Sequence, residues 1–83
     1  MKSIAVDIVK EKSVDGCQYG LIKLSIRGRE TFCIYIDGEE YACESAGEDF
    51  AKALKIFDII ARNLVSPIHL SEILYDIKAE ICR

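Results

Sequence analysis

The stretch SAGEDFAKALKIFDIIARNLVSPIHLSEILYDIKAEI, residues 45–81, decides the fold because it contains two segments with the apolar spacing of amphipathic helices. The inward-facing residues of the first segment are Phe50, Ala53, Leu54, Phe57, Ala61 and Leu64, and those of the second are Leu70, Ile73, Leu74, Ile77 and Ile81. Side chains three or four residues apart share one face of a helix. Each segment therefore predicts a helix that needs an apolar surface to pack on.

The ends of these helices also carry signals. Ser45 and Glu48 have the spacing of a capping box, which predicts that the first helix starts there. Ser66-Pro67 predicts a hinge in which Ser66 caps the second helix and Pro67 occupies its first position or the preceding turn.

The part of the chain before residue 45 alternates apolar and polar residues, which is typical of half-buried strands. The predicted strands are Ile4–Val9, Tyr19–Ile26, Thr31–Ile36 and a short edge strand at Tyr41–Cys43. Turn signals separate them at Asp15-Gly16, in the polar segment 27–30 and at Asp37-Gly38. We expect residues 10–13 to leave the first strand for solvent.

These elements predict an α+β fold, an antiparallel meander of three to four strands with both C-terminal helices on one face of the sheet. A single domain spans residues 1–83, with the sheet in residues 1–44 and the helical pair in residues 45–83. The sheet residues expected to face the helices are Val6, Ile8, Ile22, Leu24, Ile26, Phe32, Ile34 and Ile36.

Composition narrows the function classes. The 83 residues are 51% hydrophobic with a net charge of −3, which disfavours a general nucleic-acid binder. No secretory signal or membrane span is visible, so we expect a cytoplasmic protein without a membrane partner. The four cysteines lack metal-ligand spacing and are expected to be reduced. Pairing of Cys33 with Cys43 is geometrically conceivable, but a reducing compartment disfavours it.

Three sequence blocks carry a family resemblance: Val14-Asp15-Gly16, Tyr19-Gly20-Leu21, and Asn63 to Leu70 followed by an acidic amphipathic helix. Together with the acidic turn before the first helix, they resemble a small domain-of-unknown-function family of anaerobic Gram-positive bacteria. The similarity covers most of the chain, and Ser66-Pro67-Ile68-His69-Leu70 is its most specific part. The chain departs from the family in its four cysteines and in continuing to Cys82-Arg83. The resemblance implies a cytoplasmic bacterial protein and supplies no mechanism.

The single histidine, His69, has two interpretations. With Glu72 and Asp76, which follow at helical spacing, it forms a possible polar site for proton transfer or ligand binding. Alternatively, its ring packs in the hinge and bonds carbonyl groups freed at the end of the first helix. No set of catalytic residues is recognisable, so we expect no enzymatic activity, no cofactor and no metal.

A basic hairpin tip is a second candidate site. Lys23, Arg27 and Arg29 lie near the second turn, with Tyr19 and Tyr35 expected on the outward face of the sheet. Basic residues beside exposed aromatic rings are typical of single-stranded nucleic-acid binding. The alternative function is therefore a nucleic-acid-associated accessory protein, although nucleic acid is an unlikely partner for this acidic chain.

The favoured hypothesis is self-association. Ile56 and Ile59 fall outside the main inward stripe of the first helix, while Ile60 can shade into it. The three together predict an apolar shoulder that forms a contact surface. Tyr19, Leu21 and Tyr35 add apolar area on the outward face of the sheet. Two-fold pairing is the commonest way to bury such a patch. The sequence therefore predicts a homodimeric interaction or regulatory module that also binds an unidentified protein partner.

Overall fold

The predicted order of strands followed by helices is confirmed by the computed structural model, which describes residues 4–81. The strands are β1 (Ile4–Val14), β2 (Cys17–Ile26), β3 (Arg29–Asp37) and β4 (Tyr41–Gly47), and the helices are α1 (Phe50–Arg62), a 3₁₀ helix (Pro67–His69) and α2 (Leu70–Ile81). The strands form one antiparallel sheet in the order β1-β2-β3-β4. The α+β meander is therefore correct. The expectations for the Ile81 side chain and for Cys82 fall outside what the structure describes.

The first two hairpins are closed by two-residue turns. The φ angles are 50° and 80° at Asp15-Gly16 and 52° and 80° at Arg27-Gly28. Positive φ at both central residues matches the twist of the flanking strands, so pairing continues up to each turn. For this reason β1 continues through residues 10–13. The expectation that they leave the strand was wrong, although they are exposed to solvent. A bulge between Ile8 and Lys10 divides the strand.

The β2–β3 register selects the face that the helices cover. Tyr19 lies opposite Ile36 and Leu21 lies opposite Ile34, and all four side chains are buried. Residues opposite each other share a face, and Phe32 lies on the same face. The core also contains Ala46 from β4, Val65 from the hinge, and Leu70 and Leu74 from α2.

The expected inner face was therefore wrong for β1 and β2. Val6, Ile8, Ile22, Leu24 and Ile26 lie on the opposite face, paired across β1 and β2, whereas Tyr19 and Leu21 point into the core. The sequence pattern predicts that the aliphatic run Ile22, Leu24 and Ile26 in β2 is the buried set. The register with β3 places the other set against the helices instead.

Helix α1 begins later than predicted. Strand β4 continues to Gly47, and the Asp49 carboxylate, rather than Ser45, accepts a hydrogen bond from the Lys52 amide at 3.1 Å. The capping box was therefore wrong. An aspartate acceptor at this position satisfies one of the unpaired amides of the first turn.

The buried stripe of α1 is also rotated from the predicted one. It consists of Ala53, Ile56, Phe57, Ile60 and Ala61. Phe50 and Leu64, the two ends of the predicted stripe, are each half exposed. Phe50 contacts Phe32 at the margin of the core, with ring centroids 5.6 Å apart.

The hinge after α1 is held to the sheet by one buried hydrogen bond. The Val65 and Leu64 amides donate to the carbonyl oxygens of Ile60 and Ala61, which ends the helix in a Schellman motif with Leu64 at a φ of 52°. The Val65 carbonyl then accepts from the Tyr19 hydroxyl at 3.1 Å. Strand β2 is thereby tied to the point where the chain turns into the 3₁₀ helix. Ser66 occupies the predicted cap position but makes no side-chain cap bond.

Tyr19→Phe tests this connection. Removing the hydroxyl leaves the buried Val65 carbonyl without its partner, so we expect the free energy of unfolding to fall by about 1–2 kcal/mol. Urea denaturation followed by circular dichroism measures it. The exposed Tyr75→Phe is the matched control and should unfold like the parent protein. Equal effects of the two substitutions would contradict a specific role of the Tyr19 hydroxyl.

Candidate functional site

The face of the sheet opposite the helices carries a block of aliphatic side chains. Three cross-strand pairs form it: Ile4 with Ile26, Val6 with Leu24 and Ile8 with Ile22. Ile4, Val6, Ile8 and Ile26 are 58%, 57%, 60% and 41% exposed, and Ile22 and Leu24 are half-buried. We call these six residues the open-face patch. Within residues 4–81, neither helix covers it, and none of its members is charged.

The other end of the same face is polar and internally bonded. The Tyr35 hydroxyl donates to Glu11 Oε2 at 2.9 Å, and Gln18 Nε2 donates to the same oxygen at 2.8 Å. The Tyr35 ring stacks on that of Tyr41, with centroids 6.2 Å apart. These residues satisfy one another, so the polar end is already organised while the open-face patch is not.

Tyr35 lies across Gly20, its cross-strand neighbour. A β-carbon on Gly20 would overlap the Tyr35 ring, which explains why glycine occupies a central strand position. The expected outward placement of Tyr35 is therefore correct. Its ring covers backbone, however, and its hydroxyl is engaged with Glu11.

The predicted interaction surface on α1 is not exposed. Ile56 and Ile60 are fully buried in the core, and Tyr19 and Leu21 are buried from the sheet side. Ile59 is half-buried in a groove between α1 and α2. The apolar shoulder expected from Ile56, Ile59 and Ile60 was therefore wrong, because the helix is rotated so that these side chains pack on or beside the sheet.

One sequence signal pointed to the open face. Strand β2 carries apolar residues on both of its faces. Tyr19 and Leu21 lie on one face, and Ile22, Leu24 and Ile26 lie on the other. A strand that is apolar on both faces is typical of a sheet covered on both sides. The pattern therefore indicated two faces that need cover, although it did not say which one the helices would take.

The basic hairpin tip is partly neutralised. Lys23 Nζ lies 3.6 Å from Glu30 Oε2, and Arg29 Nη2 donates to Glu48 Oε2 at 3.0 Å. Arg27 is exposed at the turn. Two of the three residues predicted for nucleic-acid contact are thus paired with carboxylates. Tyr19, expected beside them as a stacking platform, is in the core.

His69 lies at the rim of the groove between α1 and α2, a cavity of about 470 Å³ whose lining includes Ile59, Leu64 and Ile73. Its side chain is exposed, as are those of Glu72 and Asp76. The hinge interpretation of His69 is wrong in detail, because the Ile59 carbonyl at the end of α1 is bonded by Asn63 Nδ2 at 2.7 Å instead. Among the side chains that the structure describes, no group of three or more His, Cys, Asp or Glu could hold a metal ion.

The described cysteines are free thiols in different surroundings. Cys33 is buried on β3, Cys17 is half-buried and Cys43 is exposed on β4. Burial, with a smaller contribution from the neighbouring Cys43 thiol, raises the pKa of the Cys33 thiol. Since the thiolate is the reactive form, the raised pKa makes Cys33 a poor nucleophile.

Gly20→Ala tests the packing of Tyr35. Because the added methyl group must displace the ring, we expect a loss of stability of about 1–3 kcal/mol. Urea denaturation measures it in the parent and in a Tyr35→Ala background, where the same substitution should cost much less. An equal cost in both backgrounds would show that the ring is not the reason for glycine at this position.

Stability should also fall at alkaline pH. Burial is the main cause of the raised pKa of Tyr19 and Tyr35, and Glu11 adds to the shift of Tyr35. Because the folded state holds the hydroxyl protons of Tyr19 and Tyr35 more tightly than the unfolded chain does, these two groups stabilise the fold. Their contribution is fully present below about pH 10. This contribution is lost as the pH rises through the folded-state pKa. The urea midpoint should therefore drop as the pH rises above about pH 10, and the drop should be smaller in Tyr35→Phe; an unchanged drop would contradict this role of Tyr35.

Comparison with known proteins adds no assignment to this geometry. Within residues 4–81, no helix is both long and apolar enough to span a membrane. Searches of the chain against protein-family models, curated proteins and solved structures find no match. The resemblance to a bacterial family therefore stays a prediction, and the function is argued from the site itself.

Proposed function

We propose that this protein is a self-associating interaction module that works by binding rather than by catalysis. The observation that carries the proposal is the open-face patch, a contiguous apolar block on the face of the sheet opposite the helices. Contiguous exposed apolar patches on small proteins are typical of interaction sites, because leaving them in water is unfavourable.

The composition of the patch supports a second copy as its partner. All six residues are aliphatic, so the patch offers no charge or hydrogen-bonding group that would select a polar ligand. An identical face complements it in chemistry, and closed two-fold pairing is the commonest form of homo-oligomer. Two sheets packed face to face, about 10 Å apart, would bury both patches as in a β-sandwich.

The size of the patch predicts a weak complex. The exposed fractions of Ile4, Val6, Ile8 and Ile26 together equal about two whole side chains, which corresponds to about 3–6 kcal/mol per copy on burial. Two copies contribute about 6–12 kcal/mol, against an association cost of about 4–15 kcal/mol. The dissociation constant should therefore be about 1 μM or weaker.

The alternative, a nucleic-acid-associated protein, has less support. Ion pairing of Lys23 with Glu30 and of Arg29 with Glu48 lowers the positive charge available at the hairpin tip. The net charge of −3 opposes binding to a polyanion as well. The structure offers no separate observation that favours this function over self-association.

Substituting Val6→Lys together with Ile8→Lys tests the proposal. Both positions are more than half exposed, so the folded monomer should keep its stability, whereas burial of two ammonium groups in an apolar contact is strongly unfavourable. Sedimentation equilibrium over a range of concentrations should show the parent associating and the double variant monomeric.

The matched control is Ile68→Lys with Tyr75→Lys. These side chains are 69% and 75% exposed on the helical part of the chain, so the control adds the same charge outside the open-face patch. It should associate like the parent. A parent protein that remains monomeric at millimolar concentration, or a Val6/Ile8 variant that associates unchanged, would overturn the proposal.

A further inference from the structure

The free edge of β1 is exposed over an unusual length. In the described sheet, β1 pairs only with β2, and every residue of Ile4–Ser13 is exposed. An edge strand presents unpaired amide and carbonyl groups along its outer side, and proteins usually shield such edges with charges, proline, bulges or a covering element. Between Ile4 and Ile8, the only such feature is the charge of Asp7.

The opposite edge of the sheet is shielded. Strand β4 carries a bulge opposite Phe32 and Cys33 and the charged residue Glu44, and helix α2 lies against it. The bulge between Ile8 and Lys10 likewise limits the regular part of the β1 edge to Ile4–Ile8. This five-residue segment is therefore the place where the described sheet can be extended.

We infer that the Ile4–Ile8 edge pairs antiparallel with the same segment of a second copy, about a two-fold axis at Val6, to form a continuous eight-stranded sheet. The segment is self-complementary in this register. Ile4 lies opposite the second copy's Ile8 on the open face, and Ala5 lies opposite its Asp7 on the helix side. No like charges stand directly opposite each other, and the directly opposite open-face pairs are aliphatic.

The size of the open-face patch supports a second copy at this edge. At about 25 cal/mol per Å², the free energy of burying one patch corresponds to an exposed apolar area of roughly 120–240 Å². A stable interface buries about 800 Å² per partner. Edge pairing places two patches side by side in one surface and adds the contact area of the edge itself. The paired sheet is thus a better platform for the face-to-face contact than one copy alone.

This inference rests on the proposed self-association but concerns a different surface of β1, so the two can be tested separately. Ala5 and Asp7 point to the helix side of the sheet, where their side chains are exposed. A face-to-face contact through the open-face patch leaves them far from the second copy. Edge pairing brings Ala5 of one copy directly opposite Asp7 of the other, within the range that a disulfide can bridge.

The experiment uses the full chain with its four native cysteines replaced, Cys17→Ser, Cys33→Ala, Cys43→Ser and Cys82→Ser. Circular dichroism and sedimentation equilibrium must first match those of the parent. Ala5→Cys and Asp7→Cys are then introduced separately, and the two proteins are mixed and oxidised with copper phenanthroline. We expect the mixture to form the mixed disulfide several-fold faster than either protein forms its own disulfide. In the proposed register, position 5 of one copy lies directly opposite position 7 of the other, whereas two identical positions lie diagonally across the strands and farther apart.

Leu24→Cys, in the centre of the open-face patch, reports on the face contact. Cross-linking of Leu24→Cys without the Ala5–Asp7 mixed disulfide would overturn the edge inference and leave the proposed function standing. Faster cross-linking of Ala5→Cys or Asp7→Cys alone than of the mixture would overturn the Val6-centred register. If neither Leu24→Cys, nor the mixture of Ala5→Cys and Asp7→Cys, nor either of these variants alone forms a disulfide, and the mass at the same concentration is that of a monomer, the proposed function is overturned together with the inference.

Discussion

The pairing of β2 with β3 is the constraint on which the rest of the structure depends. It places Tyr19 against Ile36 and Leu21 against Ile34, and this one choice fixes the face that the helices cover. Because side chains alternate along a strand, a slip of one residue would send every apolar group of β2 to the other face. The Tyr19 hydroxyl reinforces the choice, since it bonds the Val65 carbonyl at the hinge between the helices.

The same pairing leaves the sheet apolar on its second face. The two helices, of 13 and 12 residues, pack against β2, β3 and β4, and the described chain has no further element for the other side of the sheet. The aliphatic pairs across β1 and β2 are therefore left partly exposed to water. They are available for a contact with another chain, where their burial is favourable.

The polar end of the open face restricts where such a contact can form. Tyr35 covers Gly20 and is bonded to Glu11, whose carboxylate also accepts from Gln18. Burying this network under an apolar surface would remove an ionised carboxylate from water, which is costly. The network would therefore direct the proposed association to the end of the sheet that holds the open-face patch. A fold with a uniformly apolar face would lack this directional restriction and would be more prone to aggregation.

Local patterns in the sequence determined the order of elements, the turn at Asp15-Gly16, the hinge at Pro67 and the inward residues Phe32, Ile34 and Ile36, because each depends on neighbours in the chain. The sequence also showed that β2 is apolar on both faces, but it did not indicate which face packs against the helices. Only the tertiary structure decided that Tyr19 and Leu21 face the helices, that Ile56 and Ile60 are core, and that the open-face patch lies on β1 and β2. The reason is physical. Packing between elements distant in sequence sets the rotation of a helix and the buried face of a strand, and the local spacing of apolar residues carries no information about that packing.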